Sequence, residues 1–176
     1  LERVYRALVW GALQRAEGTV DAALARSTSN RQKIAVTRSE TGRRAVTHYR
    51  VLETFPSVRG DVAASLLELR LETGRTHQIR VHLAHIGHPV LGDQVYGAGF
   101  KTRAAVLSGP ARAALERLHR QALHAAGLAF EHPRTQRKMA FSSDFPKDIQ
   151  AVVDSLRLMK RDRGSQAKRG PVKPAS

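Results

Sequence analysis

The chain has 176 residues and a hydrophobic fraction of 41%, enough for one globular domain with its own core. Thirty Lys and Arg against fifteen Asp and Glu give a net charge of +15, which points to a polyanionic partner, nucleic acid before membrane. The absence of cysteine excludes disulfides and thiolate metal sites, and no apolar run approaches the ~20 residues of a bilayer-crossing helix, so a cytoplasmic protein with no membrane partner is expected.

In chain order, "RVYRALVWG" alternates, with Val4, Arg6 and Leu8 on one side and Tyr5, Ala7 and Val9 on the other, a strand ended by Gly11. Residues 12–32 are small and polar and read as loop. "KIAVTR" and "AVTHYRVLE" flank "SETGR", which predicts a hairpin of Lys33–Arg38 with Ala45–Glu53. After the turn "PSVRGD", the run "SLLELRLE" places Leu67, Leu69 and Leu71 inward and Glu68, Arg70 and Glu72 outward. Gly74 then turns the chain. Ile79, Leu83 and Ile86 recur at helical spacing, which predicts a helix over Thr76–Ile86 with Thr76 as N-cap, Gly87 past its end and Pro89 blocking continuation.

"GDQVYGAGFKT" reads as a Gly-rich loop, and Ser108-Gly109-Pro110 starts a helix over Pro110–Arg120. A hairpin follows, with Leu128, Phe130, Met139 and Phe141 at strand spacing. "PKDIQAVVDSLRLM" is a closing helix. From Arg157 onward seven Lys and Arg face one Asp among small residues, so residues 159–176 read as a disordered basic tail behind a domain of residues 1–158. About six strands and three helices, joined mostly by turns, define an α+β fold. It is a mainly antiparallel mixed sheet flanked by helices.

The segment Thr73–Pro89, "TGRTHQIRVHLAHIGHP", carries four of the eight histidines and admits three readings. As a metal site it offers His77, His82, His85 and His88. However, His88 lies past Gly87, no carboxylate lies among or after these histidines before Asp93, and the HExxH arrangement is missing. As an anion site it offers a strand, Gly74 and a helix start with Arg75, and Arg80 one turn on. As packing, Ile79, Leu83 and Ile86 are core, which explains the helix but not the arginines and histidines.

The string "LRLETGRTHQIRVHLAHIGHPVLGDQVYG" (Leu69–Gly97) closely resembles the signature of RluA-type ribosomal RNA pseudouridine synthases, in particular the RluD-like branch. "YRALVWG", "AVTHYRVLE", "RQALHAAGLAFEHPRT" and "MAFSSDFPKDI" extend the resemblance over Val4–Leu158. It implies a pseudouridine-synthase-like catalytic domain that isomerises uridine within RNA, here RNA of the large ribosomal subunit (23S type), with no cofactor and no metal. The family's nucleophile is an Asp that breaks the N-glycosidic bond before C5 is rejoined to the ribose, and the target base must first leave its stack.

Carried over by motif, Tyr5 is the active-site tyrosine that stacks on the flipped uracil. Arg80 is the arginine that pairs with the catalytic carboxylate. Arg75, Thr76, His77 and Gln78 line the pocket edge and contact RNA, and Leu123 packs against the base. One element departs from the family. The nucleophile's "HRLD"-type motif is missing, and none of Asp21, Asp61, Asp93, Asp144, Asp148, Asp154 and Asp162 sits in that context. Asp93 belongs to "GDQVYG", where it is expected to tie the loop. The chain therefore reads as the C-terminal part of a synthase catalytic domain, with β-strand Val4–Val9 or a neighbour left as an unpaired edge. The alternative is a basic RNA-binding module without catalysis.

Overall fold

A computed structural model describes residues 1–30, 33–97 and 100–168. Six strands form one antiparallel sheet in the order β2-β5-β6-β1-β7-β8: β1 (Glu2–Trp10), β2 (Glu17–Asp21), β5 (Val46–Pro56), β6 (Val62–Leu71), β7 (Leu123–Glu131) and β8 (Lys138–Ser142). A separate two-stranded arm pairs β3 (Leu24–Arg26) with β4 (Ile34–Val36). The helices are α1 (Gln78–His85), α2 (Phe100–Ala104), α3 (Gly109–Leu118) and α4 (Lys147–Lys168).

The alternating strands form where their patterns place them. Ala7, Leu8 and Val9 of β1 and Leu67 and Leu69 of β6 are fully buried. Residues paired across antiparallel strands share a face. Tyr5 and Ala7 on β1, Leu67 and Leu69 on β6, Thr47 and Tyr49 on β5, and Leu123 and Ala125 on β7 therefore lie on one face. Helix α1 covers this face, since Gln78 and His82 both bond to the Thr47 hydroxyl. A register shift at Leu52 turns Glu53 to the opposite face, where it meets Arg157 and Lys160 of α4. Ile149, Val152, Val153 and Leu156 of α4 are fully buried beneath it.

Several expectations give way. Residues 12–32 are not all loop, because β2 and β3 lie within them. Both are short and carry little apolar pattern; they exist through their pairing with β5 and β4. The predicted hairpin of Lys33–Arg38 with Ala45–Glu53 does not form. Ile34–Val36 pairs back onto β3, and β5 is instead sandwiched between β2 and β6. Val4–Val9 has no free edge, being paired to β6 and β7; the sheet's edges are β2 and β8. α1 starts after His77 rather than at Thr76, and α2 was read as loop. The last helix runs through to Lys168, into the span read as disordered tail. Met159 is buried there and Arg163 donates to the Ser57 carbonyl, so tertiary contacts hold a segment that composition alone leaves unstructured. The remainder of that tail, residues 169–176, lies outside the described residues.

Candidate active site

Helix α1 is fixed to the sheet by a polar chain. Gln78, 2% exposed, donates from Nε2 to the Val46 carbonyl and the Thr47 hydroxyl, while its Oε1 accepts from Thr73 and the Arg75 amide. All of its capacity is used internally. Thr47 also meets His82 Nδ1 at 2.9 Å, and His82 Nε2 donates to the Ala22 carbonyl at 2.9 Å. Burial pushes the His82 pKa below its ordinary value, and the His85 charge adds to this, against the opposing pull of the Ala22 carbonyl and Asp21. The ring is held neutral as a strut. Gln78 was expected to touch RNA, but the structure makes it a buried scaffold residue.

The histidines do not converge. His77 Nδ1 meets the Tyr96 hydroxyl, His88 Nδ1 meets the Trp10 carbonyl, and His85 is exposed. Among the described residues no three His, Asp or Glu side chains group as a metal site would require. The bonding is of the helix-to-neighbour kind instead.

Arg80 projects from α1 onto the loop that follows it. Its Nε and Nη2 donate to the two Asp93 oxygens at 2.6 and 2.8 Å, in bidentate geometry. The side chains are 11% and 0% exposed. Asp93 Oδ1 also accepts the amides of Val95 and Tyr96, both at 3.0 Å, tying the loop as expected from sequence. Burial raises the Asp93 pKa, but the Arg80 hydrogen bond, the two amides and the Arg80 charge outweigh it and hold the carboxyl below its usual range. The Asp93 hydrogen bond in turn raises the Arg80 pKa. The guanidinium carbon lies 4.9 Å from the centroid of the Tyr96 ring, a cation–π contact. Gly92, at φ 76°, permits the turn, because a Cβ there would run into the Arg120 carbonyl. In this chain, then, Arg80 pairs with Asp93 rather than with a nucleophile in its own motif. Its Nη1 is uncommitted among the described residues.

Arg75, Thr76 and His77 come together as one wall of an open cleft of about 910 Å³, whose other wall is the β3–β4 arm with Arg26, Ile34 and Arg43. His77 sits in the left-handed region at φ 55° as the cap of α1, a position that strains a side chain with a Cβ. Burial and then the Arg80 charge lower its pKa, while Asp93 opposes them. Tyr5 and Leu123 are half-buried against the main core on the sheet face that carries α1. Tyr5 lines a second, shallower groove with Arg3, Ala125, Leu128 and Phe141. The predicted site residues thus share a face but divide between cleft, ion pair and groove. Sequence reading missed the arm and Tyr96. The only available signal was an aromatic residue set between glycines directly after α1.

Solved pseudouridylate synthase domain proteins share this fold. The human protein named RNA pseudouridylate synthase domain containing 1 has it, with a TM-score of 0.66 at 27% identity, over 99% of this chain and 68% of that one. Residues 1–85 match the RNA pseudouridylate synthase family. The chain is 46% identical to ribosomal large subunit pseudouridine synthase D of Zymomonas mobilis, over 92% of this chain and 47% of the relative. It is 43% identical to the Pseudomonas aeruginosa protein of the same name, over 89% of this chain and 46% of that one. The chain thus matches the RNA pseudouridylate synthase family over residues 1–85 and is similar to named pseudouridine synthases over most of its length. It spans about half the length of these curated relatives. Among the described residues no helix is long and apolar enough to cross a membrane.

Proposed function

We propose that this chain is part of an RNA pseudouridine synthase that converts uridine to pseudouridine in large-subunit ribosomal RNA, without cofactor or metal. The observation that carries the reading is Arg80, nearly buried and locked in plane on Asp93, on the same sheet face as Tyr5. A guanidinium so fixed offers Nη1 to a second carboxylate. The nucleophile of the reaction, missing from the seven Asp of this sequence in its motif context, is that second carboxylate, supplied by another segment of the enzyme. Arg80 keeps it ionised and aimed at C1′ of the ribose. The carboxylate displaces uracil from C1′, the freed uracil turns against Tyr5 and Leu123, C5 attacks C1′ and displaces the carboxylate, and the C5 proton leaves while N1 takes up a proton.

Arg75, Thr76 and His77, with Arg26 and Arg43 across the cleft, hold the RNA backbone. The charge of +15 supplies the longer-range attraction. The test is to map pseudouridines in large-subunit ribosomal RNA by carbodiimide labelling, with and without the gene. Loss of one or more large-subunit sites is the expected result. An unchanged map with changed RNA binding contradicts it and leaves a non-catalytic RNA-binding module.

A further inference from the structure

One side chain ties the cleft to the ion pair. The Tyr96 hydroxyl accepts the Ile34 amide of β4 at 3.1 Å and lies 3.0 Å from His77 Nδ1. Its ring stands edge-on to His77, with centroids 5.7 Å apart, and underlies the Arg80 guanidinium at 4.9 Å. Lys33 Nζ donates to the Val95 carbonyl at 3.0 Å, a second tie between the arm and the same loop. The loop is pinned from below by Asp93, which accepts the Tyr96 amide while holding Arg80. Ile34 and His77 are both cleft-lining, one on each wall. A strand entering the cleft that shifts the arm or the α1 cap therefore shifts the Tyr96 hydroxyl, and that hydroxyl is carried by the ring under Arg80.

We propose that Tyr96 is a positioning residue that couples filling of the cleft by an RNA strand to the orientation of the Arg80 guanidinium. This rests on the synthase reading above. Two variants separate its parts. Tyr96→Phe removes the hydroxyl and keeps the ring beneath Arg80; Tyr96→Leu removes both.

In Tyr96→Phe, the loss of the hydroxyl's bonds to the Ile34 amide and to His77 speeds amide exchange at Ile34 and raises KM for RNA by about threefold to tenfold, with kcat within about twofold. In Tyr96→Leu, loss of the cation–π contact lowers kcat by about tenfold as well. In the 176-residue chain, the Arg80 Nε–H resonance shifts when a uridine-rich oligoribonucleotide is added, and shifts less in Tyr96→Phe at equal occupancy. The proposal is overturned if both variants lower kcat alike, if Ile34 exchange is unchanged in Tyr96→Phe, or if RNA leaves the Arg80 resonance unmoved. If the wild-type gene product forms no pseudouridine, the synthase reading fails by itself. The Arg80 resonance and Ile34 exchange then still decide the coupling.

Discussion

Breaking the Arg80–Asp93 pair is expected to be among the more damaging single changes outside the apolar core. Asp93→Ala removes an acceptor of four hydrogen bonds, two from Arg80 and one each from the Val95 and Tyr96 amides. It leaves the guanidinium, only 11% exposed on its side chain, without a counter-charge. Losing one partner of a buried pair destabilises by about 3–5 kcal/mol, which at ~2–4 °C per kcal/mol for a chain of this size lowers Tm by about 6–20 °C. Arg80→Ala should fall at the lower end, because the two amides still satisfy part of Asp93.

The double variant removes both charges, so urea melts of the four proteins should give a coupling energy of about 2 kcal/mol or more. Because the folded pKa of Asp93 is depressed, its contribution is present above the unfolded value near ~3.9 and is lost as pH falls through the lower folded value. Wild type should accordingly lose stability more steeply in that acid range than Asp93→Ala. Single variants that simply add, within about 0.5 kcal/mol, would refute the reasoning.

The buried His82 gives a second pH signature. Its folded pKa is lowered, so the unfolded chain takes up the proton first, and stability declines as pH falls from about 6.5 toward the folded value. His82→Gln should flatten that slope in denaturant melts between pH 7 and 5; an equal slope in both proteins would assign it to other groups. Ending the chain at Leu158 removes buried Met159, the Lys160–Glu53 pair and the Arg163 bond to Ser57. A loss of about 2 kcal/mol or more is expected, whereas a dispensable tail would leave the melting curve unchanged.

What was legible in the sequence was whatever repeats with the period of its own element. The β1 and β6 alternations and the Ile79–Leu83–Ile86 stripe mark their elements, although β1 and the first half of β6 bury both faces, since helices pack on each side of the sheet. The arm was illegible because β3 and β4 are three residues each and present no alternation long enough to register. Their partner is fixed by what they pack on, including Tyr96, which is more than sixty residues from Ile34 in sequence. The α4 extension was misread for a related reason. Its composition is that of a solvated basic tail, and what holds it is tertiary: the burial of Met159, Glu53 on the sheet and the Ser57 carbonyl just past β5.

At the site, motif resemblance singled out Arg75, Thr76, His77, Gln78 and Arg80, but side-chain direction was beyond its reach. Gln78 belongs to the same motif and faces inward because Thr47 and Val46 accept its amide. The Arg80 partner could not be read either, since Asp93 lies thirteen residues away in a loop whose path depends on Gly92.

The most direct measurement is tritium release from RNA labelled at uridine C5, using the gene product that contains this chain, alongside Arg80→Ala and with RNA affinity measured in parallel. Wild type should release tritium, and Arg80→Ala should lose about 10²–10³ in single-turnover rate while binding RNA within about threefold of wild type. No release by wild type, or an Arg80→Ala enzyme with weakened binding and unchanged single-turnover chemistry, would contradict the account.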